Sequence, residues 1–134
     1  MSGLVLKLAP KERVLINGAV IENGDRRSRI AILTPDVNIL RLRDALHPDD
    51  VTTPVRRVCY IAQLVLSGDA DPHEARPQLL RGIEQLSHAF LDDDSRAQLD
   101  AATRAVVAGQ PYQALKALRA LLPREERLLG SRLQ

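Results

Sequence analysis

The sequence has 134 residues, 45% hydrophobic and 27% charged, which predicts one globular domain or two small ones rather than a disordered chain. Aromatic residues make up only 2%, which argues against a nucleic-acid module that stacks bases on exposed rings. The net charge is +2, and 16 of the 19 basic residues are arginine, whose planar guanidinium suits the recognition of phosphates and base edges.

Short β-strands joined by turns are predicted in the first third of the chain. Five β-prone runs alternate with turn signals there, and they span residues 4–8, 13–16, 19–22, 28–33 and 37–43. Asn17-Gly18, between the second and third runs, is typical of a two-residue type I′ hairpin turn. The connections are too short to contain crossover helices, so we expect an antiparallel sheet or small barrel.

Helical spacing of the apolar residues replaces the strand pattern beyond residue 46. Thr53 is a suitable N-cap and Pro54 a suitable first residue for a helix that ends at Gly68. A second helix is predicted after Asp71, and its interior Pro77 predicts a kink or a late start because proline has no backbone N–H.

Two further helices are predicted near the C-terminus. The acidic run 92–94 precedes a third helix over residues 95–108. A fourth helix begins at Pro111 and is expected to end at Pro123. Because only a few residues connect the third and fourth helices, they should form an antiparallel αα-hairpin.

The chain is therefore predicted to be an α+β protein with two regions. Residues 1–46 would form a small N-terminal antiparallel five-stranded β domain, and residues 47–134 a C-terminal bundle of about four helices. Charge divides near the same boundary, since residues 1–43 carry a net charge of +4 and residues 44–134 a net charge of −2. The β-rich region is the better candidate for binding an anion.

No motif for catalysis or for a metal site occurs in the sequence. The three histidines, His47, His73 and His88, fall in different predicted elements without the spacing of metal ligands. Cys59 lies on the apolar stripe of the first helix and is interpreted as a small buried hydrophobe, the alternative being a reactive thiol. With no signal peptide or membrane-spanning run, we expect a cytoplasmic protein that is not an enzyme and uses no cofactor, metal or membrane.

Arginines are the candidate functional residues. On the predicted fifth strand, Arg41 and Arg43 share parity and should point to one face, where their guanidinium groups could contact RNA. Single-stranded RNA is the expected target because its base edges are accessible. Further contacts to the RNA backbone are expected from six more basic residues, which are Arg26, Arg27, Arg29, Lys7, Lys11 and Arg13.

Three blocks of the sequence carry a resemblance to a known family. They are LVLKLAPKERVLINGAVIENG at 4–24, TPVRRVCYIAQ at 53–63, and the hairpin from Gly109 to Pro123. Together they resemble the FlbT family of flagellum biosynthesis repressors over essentially the full chain. This resemblance implies a post-transcriptional regulator that binds the 5′ untranslated region of flagellin mRNA and promotes its decay or blocks its translation. It also implies work alongside the flagellar regulator FlaF.

A second resemblance covers the first third of the chain. Residues 4–20 and 29–46 are similar in order and spacing to the carbon-storage regulator family, whose members are small five-stranded RNA-binding proteins that dimerise by exchanging strands. The resemblance implies an RNA contact by Arg43 and a homodimer. The first-turn glycine of that family falls on Lys11 in this sequence.

Two functions are therefore expected. The first is an RNA-binding repressor whose β-rich region contacts the flagellin mRNA leader and whose helical region recruits partners. The second is a protein-interaction adaptor that binds flagellin or another flagellar regulator and affects the mRNA indirectly. In the adaptor, the partner would occupy a groove of the helical hairpin containing Tyr112, Leu115 and Leu118.

Overall fold

The computed structural model describes residues 4–17, 19–35, 37 and 39–132. Within them, strands precede helices along the chain, and the α+β fold class predicted from the sequence is confirmed. The chain divides between Ala45 and Leu46 into two compact units, which we call the β unit and the helical unit.

The described part of the β unit contains five short strands in two antiparallel sheets. The strands are β1 (Leu4–Leu8), β2 (Arg13–Ile16), β3 (Ala19–Glu22), β4 (Ser28–Ile32) and β5 (Ile39–Arg41). β1 pairs with β4, while β2 lies between β3 and β5. The apolar residues that alternate along these strands meet in one core, formed by Leu6, Leu8, Val14 and Ile39 with Ile16, Ile30, Ile32 and Val37 packed against them.

The fifth strand is shorter than the sequence predicts. β5 ends at Arg41, and Leu42–Asp44 form a short 3₁₀ helix instead of continuing the strand. Arg43 therefore lies outside the strand, so the inference that strand parity aligns it with Arg41 is wrong. Asn38, within the predicted strand, and Asp36, just before it, lie outside the described residues.

The predicted hairpin turn between β2 and β3 agrees with the pairing of the strands. Ile16 pairs with Ala19, which leaves a two-residue loop. Asn17 has a φ of 49°, in the left-handed region that the first position of a type I′ turn requires. Gly18, at the second position, lies outside the described residues.

The described part of the helical unit contains five α-helices after a 3₁₀ turn at Pro48–Asp50. The helices are α1 (Pro54–Ser67), α2 (Pro72–Ser87), α3 (Asp93–Val107), α4 (Pro111–Arg119) and α5 (Leu122–Arg132). The side chains of Thr53, Asp71 and Asp92 cap the first three of these by accepting hydrogen bonds from backbone N–H groups of the first turn. Gly68 ends α1 with a φ of 83°, as predicted.

Two helix boundaries predicted from prolines need correction, namely a late start of α2 at Pro77 and the end of a helix at Pro123. Pro77 does not delay α2, which begins at Pro72 and continues through Pro77. Pro123 does not end the last helix, because it is the second residue of α5. Backbone N–H groups in the first turn of a helix have no intrahelical acceptor, so Pro123 costs α5 no hydrogen bond. Pro77 is the sixth residue of α2, and its missing N–H leaves the His73 carbonyl without an intrahelical donor. The described chain accordingly has five helices rather than about four.

Helix α1 is central to the helical unit, packing against α2, α4 and α5, while α3 and α4 form the predicted hairpin. The approach of α1 to α2 is close at Gly82, where a Cβ atom would lie 2.6 Å from Cγ2 of Val58. None of the helices in the described residues is long and apolar enough to cross a membrane.

Polar contacts fasten α5 to two other helices. The Glu125 side chain is 6% exposed, and its carboxylate accepts hydrogen bonds from the Val55 N–H at 2.8 Å and from the Thr53 hydroxyl at the start of α1. The Arg124 guanidinium contacts the Asp92 carboxylate and the Ser95 hydroxyl, the latter at 2.6 Å, at the start of α3. Charged groups in this unit thus stabilise helix ends.

Candidate nucleic-acid interface

A groove of about 580 Å³ on the β unit gathers basic side chains from separate segments of the chain. They come from β1, from the start of β4 and the loop before it, and from the end of β5 and the turn after it. We call this surface the basic groove, and its charged lining residues are Lys7, Arg27, Arg29, Arg41, Arg43 and a single carboxylate, Glu12.

Lys7 and Arg29 face each other directly across the β1–β4 pair. Like charges in directly opposed positions destabilise a sheet. Within the described residues, neither forms an ion pair with a carboxylate. The core does not require these cations either, since it is filled by the opposite face of the same strands, including Leu6, Leu8 and Ile30. Two uncompensated cations held side by side favour an anionic ligand.

Glu12 is the acidic residue among the described residues that line the basic groove. Its Oε1 accepts a hydrogen bond from the Ala9 N–H at 2.9 Å, and its Oε2 accepts one from Nη1 of Arg41 at 2.7 Å. The Ala9 hydrogen bond, together with the hydrogen bond and charge of Arg41, holds the pKa of Glu12 below its ordinary value of 4.5. The carboxylate is therefore ionised at neutral pH and fixes the position of the Arg41 guanidinium.

Arg41 and Arg43 have different environments. Arg41 also donates a hydrogen bond to the Lys7 carbonyl at 3.1 Å, and its side chain is only 20% exposed, so it links β5 to β1 and to the turn that carries Glu12. The Arg43 side chain is 61% exposed, and its Nε lies 3.8 Å from the Glu12 carboxylate, beyond hydrogen-bonding distance. Arg41 thus holds segments of the groove together, while the Arg43 guanidinium is exposed to solvent at the groove.

The other three predicted RNA-binding residues do not line the groove. Lys11 pairs with Asp25 at 2.9 Å, and Arg13 pairs with Glu22 at 2.9 Å, with both pairs on the surface. The hydrogen bond and charge of Arg13 hold the pKa of Glu22 below its ordinary value. Arg26 is exposed in the loop before β4. The structure therefore brings together five of the eight predicted basic residues.

Asn23 shapes the groove and was not among the predicted site residues. Its Nδ2 donates hydrogen bonds to the carbonyls of Ala9, at 2.8 Å, and Arg26, at 2.9 Å, while its Oδ1 accepts one from the Ser28 hydroxyl at 2.7 Å. These contacts hold the loop that carries Arg27 against the turn after β1. An Asn-Gly pair such as 23–24 is typical of a turn, but this local pattern does not specify the contacts that the side chain makes.

Lys11 lies in the turn after β1, at the position where the resemblance to the carbon-storage regulator family predicts glycine. Its φ of 62° lies in the left-handed region that glycine adopts most readily. The Lys11 N–H donates to the Gly24 carbonyl at 2.8 Å, which ties the turn to the loop beyond β3.

The residues predicted to bind a protein partner lie mostly in the core of the helical unit. Leu115 is 3% exposed and Leu118 is fully buried, while Tyr112 is half-buried. Because α4 packs against both α1 and α3, it buries these leucines on its inner side. In this fold a partner cannot reach Leu115 and Leu118, which corrects their placement in an open groove.

The described residues contain neither a candidate metal site nor a reactive thiol. No group of three or more His, Cys, Asp or Glu side chains in that part of the chain is arranged to hold a metal ion. Cys59 is fully buried, and burial raises the pKa of its thiol to about 12. The thiol therefore behaves as a small hydrophobe rather than as a nucleophile.

Comparison with known proteins identifies the family. The family model described as flagellar protein FlbT matches residues 4–129. The chain belongs to the FlbT family. It is 35% identical to an FlbT relative from Allorhizobium ampelinum over 97% of this chain and 86% of the relative. It is 36% identical to a relative from Chelativorans sp. strain BNC1, over 94% of this chain and 86% of the relative. It is 29% identical to a relative from Caulobacter sp. strain K31, over 95% of this chain and 96% of the relative.

All three FlbT relatives are named flagellum biosynthesis repressor proteins. The FlbT family is thus a family of regulators rather than of enzymes, and the family expected from the sequence is confirmed. No solved structure matches this FlbT chain.

Proposed function

We propose that this protein represses flagellin synthesis in the cytoplasm by binding the 5′ untranslated region of flagellin mRNA in its basic groove. Binding there promotes decay of the mRNA or blocks its translation, while the helical unit recruits protein partners such as flagellin or FlaF. One observation carries the proposal: cations from separate segments converge on one groove, including the directly opposed Lys7 and Arg29. The relatives' names as repressors of flagellum biosynthesis support it.

The groove suits a single-stranded polyanion. Lys7, Arg27 and Arg29 line it without carboxylate partners among the described residues and supply charge for successive phosphates. Arg43 offers a guanidinium that can form a bidentate contact with a phosphate or a guanine edge. None of the described lining residues is aromatic, so recognition rests on guanidinium contacts to accessible base edges rather than on stacking.

A salt titration of the full-length protein with a flagellin leader RNA tests direct binding. Four cations of the groove are available to contact phosphates, namely Lys7, Arg27, Arg29 and Arg43. A plot of the logarithm of the association constant against the logarithm of salt concentration should therefore have a slope of about −3. Absence of binding at low salt would contradict direct recognition. It would support the alternative adaptor, which binds flagellin or another flagellar regulator and affects the mRNA indirectly.

Substitution of Arg43 tests the site itself. Arg43→Ala should weaken binding to the leader RNA by about 1–3 kcal/mol if the guanidinium contacts a base. Arg76→Ala is the matched control, because Arg76 is exposed on α2 and does not line the basic groove. Unchanged affinity in a correctly folded Arg43→Ala variant would remove Arg43 from the site.

We also propose that the protein is a homodimer, as the resemblance to the carbon-storage regulator family implies. Among the described residues, β1 and β4 form a sheet of only two strands, so each strand has an outer edge that pairs with nothing. Two-stranded sheets are marginal alone, and strands of a second copy would complete this one. Sedimentation equilibrium should give the dimer mass, and a monomer at all concentrations would contradict the proposal.

A further inference from the structure

A groove of about 640 Å³ lies between α1 and α2 in the helical unit. Val58 and Leu86 form a buried apolar floor, and the half-buried Ile61 and exposed Ala89 extend it towards solvent. The floor is continuous because Gly82 has no side chain to separate the two helices at their close approach. We call this surface the α1–α2 groove.

One cation from each helix flanks the floor. Arg57 on α1 and Arg81 on α2 are both exposed, and among the described residues neither forms an ion pair. The neighbouring Arg56, by contrast, lies 3.9 Å from the Glu126 carboxylate. Unpaired cations above an apolar floor attract a ligand that is both apolar and negatively charged.

The distribution of carboxylates also favours a negatively charged ligand. Residues 46–134 contain 12 acidic and 11 basic residues, so the unit as a whole has no excess of positive charge. None of the described residues that line the α1–α2 groove is acidic. The carboxylates lie elsewhere, for example at the start of α3, where Asp92 contacts Arg124. The excess of basic over acidic residues along the groove therefore results from local placement and not from overall composition.

From this combination we propose that the α1–α2 groove binds an acidic amphipathic helix of a partner protein. A trough between two packed helices accepts a third helix, whose side-chain ridges fit between those of the other two. Apolar anchors spaced three or four residues apart would contact Val58, Ile61 and Leu86. Carboxylates beside that apolar stripe would pair with Arg57 and Arg81. The proposal uses a different unit from the RNA site and does not depend on it.

Selection from a display library of helical peptides provides the test. The library fixes apolar residues at helical spacing over about four turns, randomises the other positions, and is selected against the full-length protein. Selected peptides should be enriched in Asp and Glu. Their affinity should fall by about tenfold or more for the double variant R57E/R81E, because both charge pairs become repulsive. Neutral or basic selected peptides, or equal binding to R57E/R81E, would overturn the proposal.

Arg76→Glu is the matched control for charge. It makes the same change at an exposed position of α2 outside the groove and should leave peptide affinity within about twofold. An equal loss in Arg76→Glu would mean that long-range charge alone attracts the peptides, and it would overturn the docking site. Ala89→Glu should also weaken binding, since it places a carboxylate at an exposed edge of the groove, and circular dichroism should show unchanged helix content.

Two further measurements separate this proposal from other occupants and from the RNA site. If leader RNA competes with the selected peptides, the groove binds RNA and the proposal is overturned. If sedimentation shows that R57E/R81E loses a dimer, the groove binds a second copy of the chain and the proposal is likewise overturned. Arg43→Ala should leave peptide affinity unchanged. A failure of RNA binding can thus be distinguished from a failure of helix docking.

Discussion

The β unit and the helical unit differ in what their most buried charged side chains do. In the helical unit, Glu125 and Arg124 contact the starts of other helices and hold those helices together. In the β unit, the Glu12 carboxylate positions Arg41, while opposed cations such as Lys7 and Arg29 have no carboxylate partner among the described residues. The contacts of Glu125 and Arg124 stabilise the packing of helices, whereas unmatched cations gathered at one surface favour an anionic ligand.

The largest effect that this comparison predicts is on stability, from Glu125→Ala. Removing the carboxylate leaves the buried Val55 N–H without its acceptor and takes a partner from the Thr53 hydroxyl. We expect the free energy of unfolding to fall by about 2–3 kcal/mol, as measured by urea denaturation.

Glu126→Ala is the control for that change. The Glu126 side chain is 76% exposed and lies 3.9 Å from Arg56, so its removal should change stability by no more than about 0.5 kcal/mol. Equal losses in the two variants would show that the Glu125 contacts do not hold α5 to α1.

The next largest effect concerns the close approach of α1 and α2. Gly82→Ala should destabilise the protein by about 1–3 kcal/mol because its Cβ would overlap the buried Val58 side chain, even though alanine favours helices. Gly130→Ala on α5, where a Cβ meets nothing within 4 Å, should be neutral or stabilising. Thermal unfolding of both variants checks this, and stabilisation by Gly82→Ala would contradict the tight contact.

The smallest predicted effect is the pH dependence contributed by Glu12. Its pKa is lowered in the folded state, so its contribution to stability is complete above the ordinary value of 4.5 and is lost as the pH falls through the lowered pKa. Glu12→Gln should therefore flatten the loss of stability on acidification, measured as urea midpoints against pH. Glu22 and Asp92, whose pKa values are also lowered, leave a residual dependence. Parallel profiles for the two proteins would contradict the role of Glu12.

Local rules explain how much of the fold could be predicted. Capping residues and turn dipeptides act within a few residues of themselves, so Thr53, Gly68 and the Asn17-Gly18 pair indicated boundaries that agree with the structure. The helix end predicted at Pro123 was wrong because proline occurs both just after helices and in their first turn. The sequence alone did not show that Pro123 is the second residue of α5.

The site depended on contacts that no local pattern encodes. Arg41 and Glu12 are 29 residues apart in sequence, and their ion pair leaves Arg41 largely covered while Arg43 stays exposed. Similarly, α4 buries residues on two sides because it packs against two helices, so its apolar stripe did not indicate whether Leu115 and Leu118 face a partner or the core. Composition drew attention to the arginines, and tertiary packing determines which of them are covered and which are exposed.

The single cysteine gives the helical unit a built-in reporter of its motions. Cys59 lies in the middle of α1, is fully buried, and has a thiol pKa raised to about 12 by burial. A thiol reagent can modify such a group only while α1 separates from its neighbours. The labelling rate therefore measures how often the helical unit opens at this one position, without any engineered probe.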